Sequence, residues 1–442
     1  NEIHELLKEC NYSIPDFYKR INKKVMCKIE VILMTYETPT DQMAAIVALF
    51  AEYNVTANFF PEGEFIILKL KYNRYVRNCV NPYQVFSRGT LLIFDNEMGK
   101  ILFKFIRPKF ENHDSFDKFF GISYDNLKEK QKCFGHTFTK YIKEDGTNMA
   151  FWYLNGKVMI ITLGADGNSL SVQYVPGLDK SFSELGKELL NPKLEEWLRN
   201  NPDKMLIFEC IHPCLHVGTN YGDKKKLELL YAIKSDDDSC YLPDELKAFH
   251  PKEVSTLNEE EEAKKYSSMD NNPEGYVEVL MTGEGNMQQF AKVKFLSYRD
   301  MQNKCPITPY SISNCVQYAK NVEFVLTKIG EMGVEVALAY FKNLNLVKIV
   351  NNFVNIVFNA FDNLCEKVIK CFNDGLKDSF KECDTFIRSI CIELSKFDNG
   401  KDCKENLLSL LSSGAQKTFN NIKGFLDTVL QEKDIKKMGP LI

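Results

Sequence analysis

The chain has 442 residues, enough for two or three domains. Its 44% hydrophobic and 26% charged residues are those of an ordinary globular protein, which excludes a disordered, collagenous or membrane-embedded chain. A formal net charge of −4 lacks the basic surplus of a dedicated nucleic-acid binder, so any such contact has to come from a local basic groove.

The N-terminus carries Glu2, His4, Glu5, Lys8 and Glu9, which interrupt any apolar core and do not read as a secretory signal. A helix is expected from Thr40 to Tyr53. Short apolar runs at Phe65 to Leu68, Leu91 to Phe94 and Ile101 to Phe105 read as strands. A second helix is expected from Lys180 to Arg199, with Ser181 as N-cap and Glu184 three residues on, a capping-box pattern. Gly164 to Asn168 and Gly283 to Asn286 suit hairpin connections, and the polar run 257–272 reads as a solvated loop.

From Pro306 onward the pattern turns helical. Phe353, Val357, Phe358 and Phe361 form one apolar stripe that Val368, Cys371 and Phe372 continue, with breaks at Asn373-Asp374-Gly375, Asp398-Asn399-Gly400 and Ser412-Ser413-Gly414. The expected organisation is thus an α+β domain over 1–305 and an all-helical domain over 306–442. Fourteen scattered cysteines share no disulfide spacing and read as reduced thiols in a cytoplasm-like compartment. No apolar run reaches the roughly 18 residues that span a bilayer. Abundant Asn, Lys and Ile fit an AT-rich, virus-like genome.

The chemistry centres on Lys143-Glu144-Asp145-Gly146, a K-x-D-G element followed by the strand-like Met149 to Leu154. This arrangement presents a lysine for attack on a nucleotide α-phosphate. The amine must be unprotonated to attack, so its pKa has to fall from about 10.4 toward neutrality, which neighbouring cations and partial burial both favour. Ala291 to Phe295 alternates as a strand, so Lys292 and Lys294 share one face, where a triphosphate would relieve their repulsion. Glu209, in Leu206 to Ile211, and Glu274, opening Glu274-Gly275-Tyr276-Val277, are isolated acids in apolar strands. They are candidates for a Mg²⁺ site and a ribose contact. The guanidinium fork of Arg88, in Ser87-Arg88-Gly89-Thr90, suits phosphate, and Lys118-Phe119-Phe120-Gly121 follows a loop.

In that order the elements resemble the RNA ligase family typified by the phage tRNA-repair ligase, within the covalent nucleotidyltransferase superfamily of ligases and capping enzymes. Arg88-Gly89 resembles its R-G element, Lys118-Phe119-Phe120 its K-F-F-N element and Lys143-x-Asp145-Gly146 its motif I. Phe208-Glu209, with Pro213 and Tyr221, resembles motif III, Glu274-Gly275-Tyr276-Val277 motif IV, and Lys292-x-Lys294 with Tyr298 motif V. The resemblance covers about residues 85 to 300. Gly121 replaces the family's Asn, and Arg107-Pro108-Lys109-Phe110-Glu111-Asn112 offers a rival alignment with Lys109 in place of Lys118. Lys118 is preferred because Lys109 leaves an extra stretch before motif I. Residues 1 to 85 carry no named motif.

The resemblance implies an ATP-grasp-like ligase domain of antiparallel sheets with helices, followed by a helical RNA-recognition domain. It implies a lysyl-AMP on Lys143, with Lys292 and Lys294 on the phosphates and Arg88 and Lys118 assisting. Asp145 and Gly146 shape the turn, Glu209 and Glu274 take ribose and Mg²⁺ (or Mn²⁺), and Phe208 or Tyr276 contacts adenine. The implied reaction seals 5′-phosphate and 3′-hydroxyl ends of RNA, in tRNA or another nicked structured RNA. No G-x-x-x-x-G-K-[ST] loop is present, so a separate kinase/phosphatase has to heal the ends. A GTP-using capping enzyme, a DNA ligase and a non-catalytic RNA-binding protein are the alternatives. Cys210, His212, Cys214 and His216 alternate as a zinc set would, but Pro213 interrupts them, and Lys224-Lys225-Lys226 reads as a surface turn.

Overall fold

A computed structural model describes the chain except for residues 73–79, 109–110, 164–174, 176–177, 216–218, 220, 255–273, 296–297, 299, 301–302, 313–314, 374–384, 398–399, 401 and 413–442. The Gly164 to Asn168 hairpin, the 257–272 loop, Lys109 and His216 lie outside the described residues. The chain divides into two compact units. The first comprises 1–173, 181–211 and 225–298, the second 174–180, 212–224 and 299–442. The division therefore falls at 298/299 rather than 305/306, and two short inner segments join the helical unit.

The first unit is mixed α and β with antiparallel sheets. Helices α1 (Glu2–Glu9), α2 (Ile14–Thr35) and α3 (Pro39–Glu52) open it, capped by the side chains of Asn1, Ser13 and Thr38. Strands β1 (Val55–Glu62), β2 (Phe65–Tyr72), β3 (Arg88–Asp95) and β4 (Ile101–Phe105) form one antiparallel sheet in that order. The expected strands at Phe65, Leu91 and Ile101 all lie in it. One face packs against the N-terminal helices through Leu68, Leu70, Leu92 and Phe94. This gives residues 1 to 85 a structural role that no motif announced.

The second sheet holds β5 (Glu111–Asn112), β6 (Thr137–Lys143), β7 (Thr147–Leu154), β8 (Lys157–Thr162), β9 (Lys204–Ile211), β10 (Lys226–Lys234), β11 (Cys240–Tyr241), β12 (Gly275–Met281) and β13 (Asn286–Lys294). Its order is β6-β12-β13-β11-β10-β9-β7-β8, antiparallel throughout, with β5 pairing in parallel to β13. The two sheets share a core of Phe60, Ile67, Leu91, Ile93 and Phe105 against Trp152, Met205, Ile207, Ile233 and Val279.

The helix expected over Lys180 to Arg199 is two helices, Phe182–Leu189 and Pro192–Asn200. Ser181 and Glu184 make the full capping box, but Asn191-Pro192 starts a new helix, because proline supplies no N–H to continue the first. Gly283 to Asn286 turns β12 into β13, with Gly285 at φ +82°. In the second unit, helices Cys315–Met332, Val334–Asn343, Lys348–Asn373, Thr385–Leu394 and Cys403–Ser412 bury a core. Phe353, Val357, Phe358, Phe361 and Val368 line one side of the longest helix within it. No helix among the described residues is long and apolar enough to cross a membrane.

Candidate active site

Lys143 ends β6, and its register decides its neighbours. Gly275 of β12 lies opposite Lys143 on one side and opposite Lys294 of β13 on the other, so three strands bring both lysines onto one rung. Glu274 precedes that glycine and bridges them. Lys143 Nζ donates to Glu274 Oε2 at 2.5 Å, and Lys294 Nζ lies 3.6 Å from Oε1. A Cβ on Gly275 would sit 1.8 Å from the Val293 carbonyl oxygen, so only glycine admits this close crossing. Gly146 meets the same limit, since a Cβ there would stand 2.3 Å from the Cys210 carbonyl oxygen of β9. This crowding sets Lys143 beside Glu209, which lies opposite Asn148 in the β7–β9 ladder.

A cavity of about 350 Å³ opens over these residues, within the range of small-molecule sites. Its polar wall includes Arg88, Arg107, Lys143, Glu144, Asn148, Glu209, Glu274, Lys292 and Lys294. An apolar wall of Tyr141, Leu230, Val277, Val279 and Met287 stands with His250, whose ring meets Tyr141 edge-on at 4.5 Å. Two β-bulges build this lining. In β13 a register shift past Phe290 turns both Met287/Gln289 and Lys292/Lys294 toward the cavity, and a shift in β10 does the same for Leu230 and Tyr231.

Burial and charge set the protonation pattern. Burial alone would pull Lys143 down, but Glu274, Glu209 and Asp145 together hold its pKa above the ordinary value. This corrects the expectation of a depressed lysine. The depressed amine is Lys292, pulled down to about 7 by burial, with Arg88, Lys143 and Lys294 adding to the effect. Glu209 is pushed up to about 7 by burial, aided by Glu274, Asp145 and Glu228 and opposed by Lys143. Asp145 is buried behind the site and accepts a hydrogen bond from Tyr298, whose hydroxyl is driven strongly upward, mainly by burial. The Tyr298 ring also lies under Lys294, 5.6 Å from Nζ.

The fold thus gathers Lys143, Gly146, Arg88, Glu209, Glu274, Lys292 and Lys294 around one cavity, with Asp145 directly behind it. It does not bring in Lys118, Phe208 or Tyr276. Lys118 lies exposed on the short helix Phe116–Phe120, where its carbonyl hydrogen-bonds the His4 ring. Phe208 is fully buried and meets Phe151 on the opposite sheet face, because neighbouring strand residues alternate and Glu209 takes the cavity side. Tyr276 packs on Phe295 for the same reason, Val277 being the lining residue.

Arg107, Asn148, Tyr141, Tyr231 and His250 went unassigned in the sequence. The Arg107-Pro108 pair stood in the rival alignment, and both line the cavity. The others carry no local signal, since bulges and cross-strand pairing place them.

Two carboxylates, Glu209 and Glu274, fit a Mg²⁺-type ion held by one or two acids plus water and phosphate oxygens; burial is what chiefly pushes Glu209 up, with Glu274 and Asp145 adding to it. Among the described residues no group of three or more His, Cys, Asp or Glu is arranged to hold a metal by itself. His212 instead accepts at Nδ1 from the Cys214 backbone N–H at 3.1 Å.

No family model and no curated protein matches the chain. Among solved structures, it is similar to an archaeal ATP-dependent RNA ligase at 12% identity, covering 91% of this chain and 99% of that one, with a TM-score of 0.38. A candidate ATP-dependent DNA ligase from Aquifex aeolicus is 14% identical, with coverage of 84% and 99% and a TM-score of 0.40. A Naegleria gruberi RNA ligase with pyrophosphate is 12% identical, with coverage of 57% and 98% and a TM-score of 0.28.

Proposed function

We propose that the chain is an ATP-dependent RNA ligase that forms a lysyl-AMP on Lys143 and joins 5′-phosphate to 3′-hydroxyl ends. The observation that carries this reading is the cavity-lining lysine held 2.5 Å from Glu274 and flanked by Lys294, within one enclosure that also holds Lys292, Arg88 and Glu209. A purely structural ion pair needs one acid and one base. Three basic side chains, Lys292, Lys294 and Arg88, converging on a lysine in a small cavity call for a polyanionic ligand.

In the first step Lys143 Nζ attacks the α-phosphorus and pyrophosphate leaves. Glu274 aims the amine and stands within reach of its proton. Lys292, Lys294 and Arg88 offset the charge that gathers on the phosphate oxygens and the departing pyrophosphate. The apolar wall of Tyr141, Leu230, Val277 and Met287 fits the face of adenine, in place of Phe208 or Tyr276. Glu209 and Glu274 would hold a bound Mg²⁺ or Mn²⁺, which supplies further charge neutralisation at the phosphates. AMP then passes to the RNA 5′-phosphate, and the 3′-hydroxyl displaces it.

Nicked tRNA or another structured RNA is the substrate class, with separate end-healing enzymes upstream. This part rests on the motif resemblance, and the helical second unit is the candidate RNA-recognition part. The test is incubation with α-labelled ATP and divalent metal. Label retained on the polypeptide and lost in Lys143→Ala supports the reading. Label from GTP alone points to capping, and RNA binding without any label rejects catalysis.

A further inference from the structure

Arg107 is the most deeply buried cation of the cavity, 3% exposed, and the nucleotidyl-transfer scheme above makes no use of it. Its backbone N–H donates to Thr90 Oγ1 at 3.2 Å, which anchors the residue beside β3. Its Nη2 donates to Asn148 Oδ1. The remaining donors, Nε and Nη1, are buried without a hydrogen-bond acceptor. The Tyr231 hydroxyl is near enough to favour the charge, but its geometry satisfies neither nitrogen. Arg88 lies close enough to oppose the charge of Arg107, so two guanidinium groups share one end of the cavity. Glu274 is engaged by Lys143 and Lys294. A desolvated guanidinium with two unmatched nitrogens and a like-charged neighbour is unfavourable unless an anion completes it.

We propose that Arg107 is a phosphate-binding residue that, together with Arg88, receives the part of the triphosphate that departs as pyrophosphate, an assignment that rests on the nucleotidyl-transfer reading. Three observations select this occupant. The unmatched donors, Nε and Nη1, lie on two edges of the guanidinium, so they offer N–H groups to separate oxygens of a multi-oxygen anion. The paired guanidinium groups call for more than one negative charge. The site is also buried, which admits a small nucleotide tail but not the backbone of a polymer, so an RNA phosphate is the less suitable ligand.

The test uses the full-length chain and pyrophosphate itself as the probe, with adenosine as the comparison, both titrated calorimetrically. In Arg107→Lys, pyrophosphate affinity is expected to fall about tenfold, because a single ammonium cannot reproduce donors on two edges of a guanidinium, while adenosine affinity stays unchanged. Asn148→Asp supplies an internal carboxylate to Nη2. It is expected to raise the melting temperature and to weaken pyrophosphate binding, a combination that a merely structural arginine would not produce. If Arg107→Lys does not fold, Asn148→Asp decides alone. Unchanged pyrophosphate affinity overturns the proposal, as does an equal loss of adenosine affinity, which would place the arginine on the base. Wild-type protein that binds pyrophosphate through Arg107 yet takes no label from ATP would reject the ligase reading and leave the anion site standing.

Discussion

Glu274 Oε2 accepts from Lys143 Nζ at 2.5 Å while its other oxygen faces Lys294 at 3.6 Å, so one carboxylate holds two lysines from different strands. It also keeps Lys143 protonated in the unliganded protein, and Glu274→Gln should release that amine. The expected result is faster modification of Lys143 by an amine-selective reagent at a given pH, read by mass spectrometry. An unchanged pH profile would mean that Glu274 does not control the proton.

The glycines at the two strand crossings test the architecture directly. Gly275→Ala and Gly146→Ala each force a methyl into a backbone carbonyl, at 1.8 and 2.3 Å, and should cost at least about 1–3 kcal/mol of stability. Gly222→Ala has open space around its Cβ and should cost only the left-handed backbone term, about 1–2 kcal/mol at its φ of +65°. Denaturant midpoints measure all three.

Lys292 gives a signed pH dependence. Its folded pKa of about 7 lies below the ordinary 10.5, so between those values the unfolded chain holds a proton that the folded chain lacks. The contribution of Lys292 to stability is therefore poorest below pH 7 and recovers as pH rises toward 10.5. Lys292→Met should raise the melting temperature most at or below pH 7, lose that advantage in alkali, and weaken pyrophosphate binding throughout. Melting curves across this pH range check the sign.

Residues that the fold leaves outside the cavity should behave accordingly. Lys118→Ala is expected to change nucleotide transfer by less than about twofold, as for a typical exposed side chain. Phe208→Leu should lower stability without changing adenosine affinity, since its ring packs on Phe151. Tyr141→Ala should weaken adenosine binding, because it removes an aromatic wall of the cavity. Transfer of label from α-labelled ATP, melting temperature and calorimetry with adenosine read the three in turn.

Local pattern made several features legible in the sequence. The K-x-D-G turn, the shared face of Lys292 and Lys294, the two acid-bearing strands and the helical stripe at Phe353 depend on spacing alone, and spacing is local. The Ser181–Glu184 capping box is equally local, and so was the proline signal at Pro192 that splits the expected helix.

Other features depend on partners distant in the chain. Strand alternation excludes Phe208 from the face that holds Glu209, a constraint present in the sequence, but which face looks into the cavity is decided by sheet order and by the helices behind it. The sign of the Lys143 shift depends on Glu274, which lies 131 residues away and is set opposite it by one rung of pairing. Arg107 and Asn148 meet across 41 residues, and the bulges in β10 and β13 choose which side chains line the cavity. The sequence by itself determined the chemical types available and their strand or helix setting, because those follow from nearest neighbours. Only the tertiary structure decided which charges stand close enough, and dry enough, to alter one another, because electrostatic coupling follows distance in space rather than along the chain.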